Sequence, residues 1–253
     1  MAKLTYITNV SLDGFIEDAH GSFDWTEPSD EVFAFITDLI RPIGTWLYGR
    51  RLYEVMAVWE TDATLAAQSE RMADFAKVWQ AGDKVVYSKT LPAVFTARSR
   101  LERNFDPDSV REMKRSGSGQ LTVGGANLAA HAFKNELVDE CHLFIHPVIL
   151  GGGKPALPRD TRVQLELVDE RRFTTGAVYL RYRTAPRGRR GGSLRHARAR
   201  EDPRRDRRRA VRRRAHGAGR RHAQAARQGE APPGNRQGGG RHRPRPHRRA
   251  DRV

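Results

Sequence analysis

Along the first 186 residues the apolar positions switch repeatedly between two spacings. Short β-branched and aromatic runs read as buried strands, and longer stretches return apolar residues at helical spacing. Leu4 to Val10 predicts a first strand and Ser11-Leu-Asp-Gly14 a turn; a loop-like segment with Gly21, Asp24 and Trp25 runs on to Pro28. Ser29 or Asp30 caps a helix whose apolar face is Val32, Phe33, Phe35, Ile36, Leu39 and Ile40, ended by Pro42 and Gly44. Thr45 to Tyr48 is a second strand, followed by Gly49-Arg-Arg51 and a short helix from Leu52 to Trp59. Ala63 to Ala81 predicts one helix, stopped by Gly82, and Lys84 to Tyr87 a third strand, ended by Ser88-Lys-Thr90. Ala97 to Arg103 reads as a further strand and Asp106 to Ser116 as a helix. Leu121 to Val123 is a strand broken by Gly124 and Gly125, with a helix from Ala126 carrying Leu128, Ala129, Ala132 and Phe133. Glu140 to Leu150 is the most β-rich run, ended by Gly151-Gly-Gly153; Val163 to Val168 and Ala177 to Tyr182 form a closing hairpin. This alternation predicts an α/β domain with a mainly parallel sheet and an antiparallel end.

The chain is organised around the turn at Gly124-Gly125. A strand, a tight glycine turn and a helix in succession let a ligand approach bare backbone, where the helix start offers unpaired N–H groups and partial positive charge. The six-residue dinucleotide fingerprint is absent, so by itself this is equally a turn that binds nothing. Two further strands end at Gly49 and Ser88, and a parallel sheet would place all three carboxyl ends on one edge, where open α/β sheets bind ligands. Arg50, Arg51 and Lys89 bring cations to that edge, which together predicts a nucleotide phosphate site.

Composition changes the picture after Pro186. Residues 187–253 hold 24 Arg, no Lys and 5 Asp or Glu, a net charge of 24 − 5 = +19; the first 186 hold the other 22 Lys or Arg and 25 Asp or Glu, 22 − 25 = −3. The overall charge of +16 is therefore a property of the tail, which has no Phe, Trp, Tyr or Ile with which to fold. It would bind polyanions electrostatically and without reading sequence; its start after Leu180-Arg-Tyr-Arg183 and its Arg/Gly/Ala/Pro/His bias suit a frameshifted or read-through extension. The expected division is a domain over 1–186 and a disordered tail over 187–253. Cys141 is the only cysteine, which excludes an internal disulfide framework and any multi-cysteine zinc site. The N-terminus has no signal-peptide pattern and no apolar run is long enough to span a membrane, so cytoplasmic residence is expected.

Six motifs occur in order: Val10-Ser-Leu-Asp-Gly14, Leu47-Tyr-Gly-Arg-Arg-Leu-Tyr-Glu54, Lys84-Val-Val-Tyr-Ser-Lys-Thr-Leu91, Leu121-Thr-Val-Gly-Gly-Ala126, Leu137-Val-Asp-Glu140 and His146-Pro-Val-Ile-Leu-Gly-Gly-Gly-Lys-Pro155. Across residues 3 to 183 the chain resembles the dihydrofolate-reductase-like superfamily, most closely the branch of the C-terminal reductase domain of bacterial riboflavin-biosynthesis proteins. The resemblance implies a three-layer domain, homodimers and an NADPH-dependent reductase of a small heterocycle, as in 5-amino-6-(5-phosphoribosylamino)uracil reduction. It implies that Gly49 and Arg50, with Arg51, face the cofactor phosphates, and that Ser88 and Lys89 hold the 2′-phosphate end. Gly124, Gly125 and Ala126 would lie against the pyrophosphate, flanked by Val123 and Asn127, and Val10 and the Ser11–Gly14 loop would border the nicotinamide and substrate.

The chain departs from folate reductases at Leu52, where they carry Thr, and at Ala129, where they carry Tyr. Trp25-Thr-Glu-Pro-Ser-Asp30 has the spacing of their carboxylate-bearing segment, so Asp30 is either a substrate anchor or simply a helix cap, with Glu31 a competing carboxylate. Asp13 and Asp30 are the candidate catalytic acids. His131, His142 and His146 are candidate proton donors or structural histidines, and Glu140 with His142 makes too small a set for a metal. The zinc deaminase of the full riboflavin protein needs a cysteine pair that this chain lacks. Alternative readings are dihydrofolate-reductase-type activity, a non-catalytic nucleotide-binding protein of the same fold, and a nucleic-acid binder acting through its tail.

Overall fold

A computed structural model describes residues 1–117 and 119–185; the predicted tail lies outside the described residues. The strands are β1 (Leu4–Ser11), β2 (Phe15–Glu17), β3 (Ile43–Gly49), β4 (Asp83–Tyr87), β5 (Ser99–Glu102), β6 (Gln120–Gly124), β7 (Glu140–His146), β8 (Lys154–Pro155), β9 (Leu165–Arg172) and β10 (Val178–Thr184). The helices are α1 (Asp30–Ile40), α2 (Arg50–Met56), α3 (Val58–Thr61), α4 (Ala63–Ala67), α5 (Glu70–Ala81), α6 (Pro107–Ser116) and α7 (Ala126–Lys134). The main sheet runs β5-β4-β3-β6-β1-β7-β10-β9. The pairs from β5 to β7 are parallel, while β10 is antiparallel to both β7 and β9, as the sequence predicts.

Burial explains the strand patterns. In the middle of the sheet Leu4, Tyr6, Leu47, Val85 and Val123 are almost wholly buried, because helices cover both faces of a parallel sheet. The edge strand β9 is exposed along nearly its whole length, and five of its eight residues are charged. One core cluster packs α6 and α7 against β1 and β6; a second gathers Trp46, Tyr48, Tyr53, Phe75 and Trp79 on the other face.

One open choice is settled and several local expectations are revised. Ser29, not Asp30, caps α1, its hydroxyl accepting from the Val32 amide at 3.4 Å. The helix predicted over 63–81 breaks into α4 and α5, since Ser69 accepts from the Met72 amide and starts a new helix. The helix expected from Leu52 to Trp59 begins earlier, at Arg50, and breaks at Ala57 between α2 and α3. The β-rich run ends at His146, before Pro147, and β9 extends to Arg172, shortening the hairpin connection. The loop from Ser11 to Pro28 contains β2, which pairs with β8 in a two-stranded ribbon. That ribbon requires glycine at position 153, where φ is +136° and a Cβ would lie 2.0 Å from the Glu17 carbonyl oxygen.

Candidate functional site

The adjacent strands β4, β3 and β6 pair Gly49 with Tyr87 and Tyr48 with Gly124, so their carboxyl ends share one edge. Two cavities open there, of about 490 Å³ and 370 Å³. Ile7, Thr8 and Asn9 from β1, Thr26 and Leu52 line both, so the cavities share a wall. Gly125, Ala126 and Asn127 line the larger, and Gly124 and Val123 the smaller.

The two glycines of this turn are needed for different reasons. A Cβ on Gly124 would meet Leu52 Cδ2 at 2.5 Å and the Tyr48 ring at 3.0 Å, so close packing excludes a side chain. Gly125 has φ +91° and only the Gly49 amide nitrogen, at 4.0 Å, near its notional Cβ; backbone conformation, not crowding, selects glycine there. Gly125 is the N-cap of α7 and no side chain bonds to the helix start, so its first amides remain available at the cavity.

Arg50 lines the larger cavity, donating from Nε to Glu54 at 2.8 Å and from Nη1 to Thr90 Oγ1 at 3.0 Å. Those bonds leave Nη2 without a partner among the described residues. Arg51 is more fully engaged, donating to Glu17 Oε1 at 3.1 Å and to the Gly21 carbonyl at 3.3 Å. The Ser88 hydroxyl accepts from the amides of Thr90 at 3.2 Å and Leu91 at 2.9 Å, which shapes the turn bearing the exposed Lys89. Val10 is buried in the core and borders neither cavity.

Neither candidate acid lines a cavity. The Asp13 carboxylate accepts from Ser11 Oγ at 2.7 Å and from the amides of Gly151 at 2.7 Å and Leu150 at 3.1 Å. The Ser11 hydroxyl above all, with those amides, holds its pKa below the usual carboxylate range, so it stays ionised and fastens the loop after β7. Asp30 has an 87% exposed side chain paired with Arg71, away from the cavities. The competing Glu31 binds Arg171 and the amide and hydroxyl of Thr174. The pattern of a helix N-terminus could not tell a carboxylate turned inward from one turned outward.

The histidines divide in the same way. His142 is buried between the Tyr179 hydroxyl at 2.8 Å and Glu140 at 3.3 Å; burial depresses its pKa and keeps the ring neutral. His146 Nε2 lies 3.0 Å from Asn9 Oδ1 and its ring packs edge-on to Trp25; burial depresses its pKa too. His131 is exposed and lines the larger cavity, as do Glu17 and Lys154, which the sequence reading left unassigned as site residues. Glu17 is the only acid on that lining, held by Arg51 and lying 3.8 Å from Lys154. The sequence holds no periodic signal for it, because Ile16 and Glu17 both line the cavity and all three residues of β2 are half-buried. The largest gap in the sequence reading is Asn9, which lines both cavities and whose amide is oriented by His146 from a parallel strand. No group of three or more metal-ligating side chains occurs among the described residues, and none of their helices is long and apolar enough to cross a membrane.

The chain matches the family model of the RibD C-terminal domain over residues 2–179. It is 30% identical over 174 residues to the uncharacterized protein YyaP of Bacillus subtilis, covering 68% of this chain and 90% of that one. Among solved structures, a putative riboflavin biosynthesis protein from Shewanella sp. PV-4 superposes with a TM-score of 0.58 at 20% identity, covering 74% of this chain and 100% of that chain. A pyrimidine reductase-like protein from Corynebacterium diphtheriae gives a TM-score of 0.51 at 14% identity, covering 73% of this chain and 92% of that chain. At these identities the solved structures establish the shared fold, and the family model extends across nearly the whole described domain. The chain belongs to the RibD C-terminal domain family, in the dihydrofolate-reductase-like superfamily.

Proposed function

We propose that this protein is an NADPH-dependent reductase of a small heterocyclic substrate. One observation carries the reading: the uncapped start of α7, the Arg50 guanidinium and the Ser88–Thr90 turn converge at the carboxyl ends of three adjacent parallel strands. Helix amides and an Arg fork suit phosphate oxygens. The amides of Gly125, Ala126 and Asn127 would hold the pyrophosphate, beside Val123, Gly124 and Gly49. Arg50, Lys89 and Ser88 would hold the adenosine 2′-phosphate, with Arg51 as a fixed charge at the rim. When bound, the cofactor supplies a hydride; the protein's task is to orient the substrate against it and exclude water.

In this reading Asp13 acts by holding the loop after β7, and Asp30 lies outside the site. Val10 supports Asn9 from the core side of β1. Glu17 is the one carboxylate on the lining of the larger cavity. The fold is shared with a pyrimidine reductase-like protein, which makes a pyrimidine the first substrate to try. The deciding experiment is titration with NADPH and NADH, followed by cofactor oxidation with pyrimidine, pterin and ketone substrates. Tight NADPH binding with turnover supports the assignment. Tight binding with no turnover on any class would leave a nucleotide-binding protein, and no binding would remove the reading.

A further inference from the structure

The smaller cavity narrows the substrate class. It lies behind the wall formed by Ile7, Thr8, Asn9, Thr26 and Leu52, directly beside the cleft assigned to the cofactor. No Asp, Glu, Lys, Arg or His appears on its lining, whereas Arg50, Arg51, Lys154 and Glu17 all border the other cavity. Its far side is aromatic: Phe33 and Phe75 stack with centroids 5.2 Å apart, and Trp59 packs on Phe75 at 4.5 Å. The polar atoms of this lining are mostly turned elsewhere. The Tyr48 hydroxyl accepts from Trp79 Nε1 at 3.2 Å, and burial pushes its pKa up so that it stays protonated. Trp46 Nε1 faces Gly82, where a glycine Cβ would come within 2.4 Å of it. Thr26 Oγ1 donates to the Phe23 carbonyl at 2.7 Å.

Asn9 differs in having its side-chain amide oriented by a neighbouring strand. With His146 Nε2 donating to its Oδ1 at 3.0 Å, the side-chain NH₂ is left as a directed donor where the two cavities meet. Because a carbonyl oxygen only accepts, Oδ1 facing Nε2 requires the ring tautomer that carries its hydrogen on Nε2. The groups facing His146 are Asn9 and Trp25, neither of which titrates.

We propose that the smaller cavity is the substrate chamber and that it takes a flat, uncharged, largely apolar ring bearing one acceptor oxygen or nitrogen, bound by the Asn9 side-chain amide. The proposal rests on the reductase reading of the neighbouring cleft and refines it: a substrate carrying phosphate or carboxylate would enter a chamber with no countercharge, where desolvating the anion is costly. Aromatic walls with a small number of placed polar groups are the usual composition of a specific small-molecule pocket.

The test needs no turnover. Quenching of tryptophan fluorescence is followed with the full-length protein, using 2-acetonaphthone, naphthalene, 2-naphthoate and uridine 5′-monophosphate as probes. NADPH binding is measured separately. The ketone should bind at least about tenfold tighter than the carboxylate, a difference of about 1.4 kcal/mol. Asn9→Ala should weaken the ketone several-fold and leave naphthalene unchanged, a pattern that general loss of structure would not produce. Met56→Trp, which fills the chamber away from the cofactor cleft, should abolish ketone binding and leave NADPH binding intact. Uridine monophosphate binding as tightly as the ketone, or ketone binding indifferent to both substitutions, overturns the proposal. Ketone binding without NADPH binding would instead remove the cofactor reading and leave the chamber standing.

Discussion

The glycine pair offers a test in which two neighbouring substitutions fail for different physical reasons. Gly124→Ala places a methyl group 2.5 Å from Leu52 Cδ2 and 3.0 Å from the Tyr48 ring. Overpacking of this kind costs about 1–3 kcal/mol. Gly125→Ala meets nothing closer than 4.0 Å, but at φ +91° and ψ 122° it strains the backbone. A non-glycine residue held in so sparsely populated a region costs about 1–3 kcal/mol. The totals are similar, so stability alone does not separate the mechanisms, but coupling to Leu52 does. Leu52→Ala removes the closest obstacle to a side chain at position 124 and none at position 125. A double-mutant cycle by urea denaturation should therefore give Gly124→Ala and Leu52→Ala a favourable coupling of about 0.5–3 kcal/mol. The same cycle with Gly125→Ala should give a coupling below about 0.5 kcal/mol, the usual limit of additivity. The residual contact with Tyr48 means that the first rescue is partial. Equal coupling for both glycines, or none for Gly124, would refute the assignment of crowding to one and conformation to the other. In the same proteins Gly125→Val should abolish NADPH binding while the domain still folds.

Further consequences can be measured directly. Arg50→Ala should weaken NADPH by about 1–3 kcal/mol, the range for a charged hydrogen bond, and NADH by less; equal losses in a binding titration would refute the 2′-phosphate contact. Asp13→Asn should speed hydrogen exchange at the Leu150 and Gly151 amides. Because the folded pKa of Asp13 is depressed, its hold on that loop is complete above the ordinary carboxylate range and is lost as the pH falls through the lowered value. Burial pushes the Cys141 thiol up to about 12, so a thiol reagent should label it only when the domain unfolds, and rapid labelling of the native protein would contradict that burial. Deleting residues 187–253 should leave the melting temperature and NADPH affinity nearly unchanged and remove salt-sensitive binding to DNA or RNA; a truncated domain that melts early would show that the boundary is wrong.

The sequence by itself determined the strands and helices of the main sheet, apart from breaks and ends, and the character of that sheet. Alternating buried runs and helical faces predict a mainly parallel sheet with an antiparallel end because each pattern can bury its apolar residues in only one way. Gly125 marked the central turn for a local reason, its positive φ, as did Asp106 at the start of α6, whose carboxylate accepts from the Asp108 and Ser109 amides; Gly124 is glycine because Leu52 and Tyr48 crowd it. Tertiary structure decided what those local signals could not contain. Asp30 and Ser29 are adjacent and both can cap a helix, and only the position of Arg71 on α5 shows where the Asp30 carboxylate turns. Asn9 reads as an ordinary strand residue until the pairing of β1 with β7 brings His146 beside it, 137 residues away. Phe33, Trp59 and Phe75 read as three separate apolar faces, yet they form one uncharged chamber because α1, α3 and α5 pack together on the same side of the sheet. Periodicity records which side of an element is buried. It does not record what lies opposite, and a site is made of what lies opposite.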